Sequence, residues 1–238
     1  LGALGYDGKI QGFTGANWEV NVAKLAGSIG LDDGNDGFIG SKAMTREEAA
    51  LYAFNTLQAT MVKYDTTGST IVVGDTTIVQ GASKAEDVEN NSTSANTIKK
   101  DGLMQFAEKY FKDLKLASST SDAFERPANT WTYKTNEIGT YAKTADLSYT
   151  EKVKTGTIYS DLGLSKAIAK ADTTVYVDGA AVADASKYDI VKGGSDKFGG
   201  NGALTEVYYD DDDNTVTITV VNTYVGDVTS VYGATSSK

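Results

Sequence analysis

Asn17-Trp-Glu-Val-Asn-Val-Ala-Lys-Leu-Ala-Gly-Ser-Ile-Gly30, then Asp32-Asp-Gly-Asn-Asp-Gly37-Phe38, then Met44-Thr-Arg-Glu-Glu48: taken in order, these stretches predict a helix, a turn-rich loop and a second helix. Asn17 is a good N-cap residue, and Val22, Leu25, Ala26 and Ile29 follow at the spacing of one apolar helix face. Gly30 stands where a helix-ending glycine is expected. The run from Asp32 to Gly37 is rich in residues that tolerate positive φ and cannot continue a helix. Thr45 with Glu48 three residues later forms a capping box, and Met44 is placed to staple onto Ala49 across it. Ala49, Tyr52, Ala53 and Leu57 then carry the apolar face of the second helix.

Downstream the texture changes. Thr70-Ile-Val-Val73 and Thr76-Thr-Ile-Val79 around Gly74-Asp75 predict a hairpin. Residues 83–97 are polar and patternless, the mark of an exposed loop. Leu103, Phe106, Ala107, Tyr110, Phe111 and Leu114 share a helical face, so the spacing predicts an amphipathic helix over 103–116 capped by Asp101, with a linker over 118–122. Thr130-Trp-Thr-Tyr133 reads as extended, 145–153 as a strand and 157–168 as a short helix. Two more hairpins are expected: Thr174-Val-Tyr-Val177 turning at Asp178-Gly179, and 204–209 with 215–221 around the acidic tip Asp210-Asp-Asp-Asp-Asn214. The last residues, 230–238, read as a tail.

Composition removes several function classes. The 238 residues carry a formal net charge of −10, the wrong sign for gripping phosphates or an anionic membrane. No His and no Cys occur, so the commonest general base, the commonest metal ligand, thiolate nucleophiles and disulfides are all missing. No run of about 20 apolar residues could span a bilayer. A calcium loop starting at Asp32 fails the EF-hand template, with Gly34 at its third position and Ala43 at its twelfth. Consecutive carboxylates at 210–213 are expected to diverge on a hairpin. The carboxylates Glu47, Glu48, Glu125, Glu137, Glu151 and Glu206 show no spacing that singles out a hydrolytic pair.

Over residues 10–58, about a fifth of the chain, the order of motifs resembles a surface-layer homology (SLH) repeat. Phe13 and Trp18 stand at its opening aromatics, Gly37-Phe38 match its loop motif, and Thr45-Arg46-x-Glu48 match its Thr-Arg-Ala-Glu signature. Leu1–Tyr6 resembles the last turn of a preceding repeat. Two positions depart: Glu47 stands for the signature alanine, and the usual loop proline is missing. A softer resemblance to strand-rich segments that follow such repeats covers Arg126-Pro-Ala-Asn-Thr-Trp-Thr-Tyr-Lys134 and Tyr208-Tyr-Asp210.

The resemblance and the downstream strand and helix signals together predict an α+β chain: an SLH-like helical repeat at 1–58, short strands plus an amphipathic helix at 59–120, and a β-rich domain at 121–238. The resemblance implies a non-catalytic, extracellular role in a bacterial cell wall or surface layer, and the lack of His and Cys with the failed calcium template predicts no metal or cofactor. The partners would be cell-wall polysaccharide and neighbouring SLH repeats, which generally act in threes. On this reading the chain is a piece of a longer exported protein. Its ligand-binding set would be Trp18, Thr45, Arg46 and Glu48. The arginine would meet an acidic, ketal-bearing sugar with its planar fork. Two alternatives remain at these positions: Arg46 paired with a surface carboxylate such as Glu47 or Asp33, and Trp18 as a core residue. The alternative functions are a carbohydrate- or protein-binding β module and a wall-hydrolase fragment.

Overall fold

The computed structural model describes residues 1–35, 37, 39–164, 172–183 and 197–229. It is mixed α+β, with several sheets and more strands than helices among the described residues. The chain divides into two compact units, 1–117 with 131–139, and 118–130 with 140–238.

The first unit opens with a 3₁₀ turn, Gly2–Leu4, whose Leu4 is fully buried. Helix α1 spans Trp18–Ser28. It ends in a Schellman motif: Gly30 takes φ 71°, its N–H reaches the Gly27 carbonyl, and the Leu31 N–H reaches that of Ala26. Leu31 and Ala26 also join one apolar cluster with Leu4, Ala59 and Met61, the hydrophobic contact that accompanies this cap. Helix α2 spans Arg46–Gln58. Its Asn55 donates to the carbonyls of Leu31 (3.0 Å) and Asp33 (2.9 Å), which clamps the interhelical loop. Strands β1 (Val62–Lys63) and β4 (Glu86–Asp87) pair, and between them β2 (Ser69–Val73) and β3 (Thr76–Gln80) form a separate two-stranded hairpin. Helix α3 (Phe106–Tyr110) follows, and its Ala107 packs with Ile98, Leu114 and Trp131 in a second cluster.

Strands β5 (Leu114–Ser121), β6 (Pro127–Tyr133) and β7 (Asn136–Ala142) form a three-stranded sheet. In the second unit, β8 (Leu147–Tyr149), β9 (Val153–Lys154) and helix α4 (Thr155–Asp161) precede β10 (Asp172–Val177) and β11 (Ala180–Ala181). Strand β12 (Lys197–Phe198) pairs with β9, and β13 (Ala203–Asp210) and β14 (Thr215–Asn222) complete a five-stranded sheet, order β11-β10-β14-β13-β8. Only β10 and β14 run parallel in it. Val175, Ile218 and Val207 lie side by side in the register, all essentially buried, and pack in one cluster with Ile158 and Tyr159 of α4. The period-2 pattern of Val216, Ile218 and Val220 creates this core face.

The three expected hairpins are present. Other expectations are corrected. The helix over 103–116 is only the five residues of α3, because Leu114 and Leu116 sit two apart and belong to β5, whose alternation outcompetes the helical spacing. Gln105, not Asp101, occupies the N-cap; Asp101 accepts from the Leu103 N–H and the Gln105 side chain instead. Ser118–Ser121 is strand, not linker. Residues 83–97 are not a patternless loop, since they contain β4 and the buried Asn90. Residues 145–153 split into β8 and the start of β9. The expected helix at 157–168 begins at Thr155, and its last residues, like the tail at 230–238, lie outside the described residues.

Candidate functional site

The capping box forms as read: the Thr45 hydroxyl accepts from the Glu48 N–H at 3.1 Å, and the Glu48 carboxylate accepts from the Thr45 N–H at 2.6 Å. These bonds, the backbone one foremost, hold the Glu48 carboxyl below the usual glutamate range. Asn17 occupies the N-cap of α1 but makes no side-chain capping bond, and Met44 stays exposed. Ala53, assigned to the inward face of α2, is exposed as well.

Trp18 is the first residue of α1 and is 48% exposed, so it is not a core residue. It borders a cavity of about 320 Å³ whose walls include Val22, Ala26, Leu31 and Tyr52, with Glu19 and Asp32 as its carboxylates. Neither α1 nor α2 has a fully buried residue, so the facing surfaces of the two helices leave open apolar space. Tyr52 ties this cavity to the capping box: Asn35 donates to its hydroxyl at 2.7 Å and approaches the Glu48 carboxylate at 3.5 Å. Arg46, at the first turn of α2, is exposed, lies outside the cavity wall, and makes no ion pair with any other described residue. The expected alternative of pairing with Glu47 or Asp33 is therefore not seen among the described residues.

Of the four expected ligand residues, Thr45 and Glu48 are committed to each other and Trp18 walls the cavity. Arg46 projects from the helix start without a described charge partner. The tie between them, Asn35 and Tyr52, was not read as part of the site. Tyr52 fitted an apolar helix face, and Asn35 fitted a turn; only their meeting across 17 residues discloses the link.

Elsewhere, the loop with Asp32 and Asp33 is organised by Asn55 and the Schellman turn, and Asp36 is outside the described residues. At the β13–β14 tip the carboxylates of Asp210, Asp211 and Asp212 do not diverge as expected but lie within 4.8 Å of one another. Asp210 accepts from the N–H groups of Asp212 and Asp213, which curls the tip back on itself. In the second unit Arg126 binds Asp122 (2.7 Å) and Glu206 (3.1 Å). The two carboxylates are held by one guanidinium. Burial, then the Glu206 carboxylate, pushes the nearby Tyr208 hydroxyl up to about 12. No family model, curated protein or solved structure matches this chain. No helix among the described residues is long and apolar enough to cross a membrane.

Proposed function

We propose that this chain is a non-catalytic part of an extracellular bacterial surface protein, anchoring or spacing it on cell-wall polysaccharide in the manner of an SLH repeat. The observation that carries the reading is Trp18: a half-exposed indole over an apolar cavity, with Tyr52 in the same wall, suits stacking on a sugar ring. Arg46 supports it as an exposed guanidinium with no described carboxylate to neutralise it, free to take an acidic group of a polymer. The half-buried faces of α1 and α2 support a role for neighbouring repeats, which would complete a groove this unit leaves open.

Co-sedimentation with purified wall polysaccharide tests the reading. The chain alone is expected to be retained weakly, and Trp18→Ala and Arg46→Ala each to lower that retention further. Tight binding that neither substitution reduces would place the site elsewhere in the chain.

A further inference from the structure

We propose that the β2–β3 hairpin is the surface through which two copies of this chain pair, edge to edge and antiparallel. The inference is independent of polysaccharide binding. Every residue of both strands is exposed, including Ile71 (54%), Val72 (66%), Ile78 (55%) and Val79 (70%). Among the described residues the strands pair only with each other. A lone two-stranded hairpin with both faces in water is marginal, so this sequence, dense in β-branched apolar residues, is built for a larger sheet.

The backbone says what kind of neighbour fits. Gly74 takes φ 60° at a two-residue turn, which makes Val73 and Thr76 a hydrogen-bonded pair. Alternation then points the N–H and C=O groups of Thr70, Val72, Thr77 and Val79 outward, and among the described residues none of them has another backbone partner. Neither edge carries the lysine, proline or bulge that blunts an exposed strand.

Charge leaves this segment open to a second copy. With a net charge of −10, two chains repel over most of their surface, yet 66–83 contains a single charge, Asp75 at the turn. An antiparallel two-fold pairing sends the two Asp75 tips to opposite ends, whereas a parallel one would bring them together. It also gives each edge an identical set of donors and acceptors to meet, and it extends the apolar face of Ile71, Val73 and Ile78 across both copies.

Sedimentation of the 238-residue chain over a range of concentrations provides the test. The mass is expected to rise from monomer to twice that value. Val72→Lys with Val79→Lys should keep it monomeric throughout, with an unchanged melting curve because both side chains are exposed. The chain has no cysteine, so single reporters can be introduced. A short bismaleimide should cross-link Ile71→Cys or Ile78→Cys, at the strand centres, far more than Asp75→Cys at the tip. A wild-type chain that stays monomeric overturns the proposal. So does a double-lysine variant that pairs as well as wild type, or equal cross-linking at Asp75. Flotation of a monomeric chain with phosphatidylcholine vesicles would also overturn it, by showing that the hairpin seeks lipid.

Discussion

Thr45 and Arg46 are adjacent but do different work, and substitutions should separate them. Thr45→Ala removes the acceptor of the Glu48 N–H and should cost about 0.5–2 kcal/mol. Thr45→Ser keeps the hydroxyl and should cost much less. Arg46→Ala, at an exposed position with no described ion pair, should change stability by no more than about 0.5 kcal/mol. Urea melts of the three variants check this, and an Arg46 effect as large as that of Thr45→Ala would make the arginine structural. Glu108 sits at the opposite extreme. The residue is 5% exposed, and its carboxylate accepts from the N–H groups of Ile98 (2.9 Å), Lys99 (3.3 Å) and Gln105 (3.2 Å) and from the Asn90 side chain (3.0 Å). Glu108→Gln turns an amide donor toward some of these donors and should cost about 3 kcal/mol in the same melts. At Thr219, fully buried with no described partner for its hydroxyl, Thr219→Val should instead stabilise by about 1 kcal/mol.

At the scale of elements, the pieces legible in the sequence are those whose signals are local. The capping box needs four residues, the Schellman end needs Gly30, and each hairpin needs a turn between β-branched runs. What the sequence hid depends on distant chain. The stretch around Leu114 satisfies both a helical and an alternating pattern, and Trp131 in the cluster with Leu114 is one feature that local spacing cannot reveal. No local spacing marks Glu108 as a buried acceptor, because its donors Asn90, Ile98 and Lys99 come from a separate stretch of chain. The tie between the β5–β6 turn and β13 is of the same kind, since Arg126 meets Glu206 across 80 residues. It has a pH signature. Burial pushes the Asp122 carboxyl up, but hydrogen bonds from the Arg126 side chain, then from the N–H groups of Arg126 and Phe124, outweigh it and leave the group below its ordinary value of 3.8. A depressed value means the stabilisation is complete above the ordinary aspartate range and disappears as pH falls through the lower folded value. The melting temperature of wild type should therefore drop below about pH 4, while Asp122→Asn should start lower and vary less with acid.

At the scale of the whole molecule, the first unit is discontinuous, because residues 131–139 return to it after 118–130 have entered the second. Trp131 is 5% exposed, packs with Ile98, Ala107 and Leu114, and meets Phe54 edge-on at 5.5 Å. A chain ending at residue 117 should consequently lose its cooperative thermal transition by circular dichroism, whereas one ending at 142 should keep it. The same interleaving governs how the protein is born. A chain made from its N-terminus presents α1, α2 and the apolar β2–β3 strands well before Trp131 emerges to complete the cluster with Ile98, Ala107 and Leu114. For that interval its most adhesive segment is displayed on an incompletely packed scaffold, so the rate of delivery, and not only the final stability, decides how many copies reach the folded state alone.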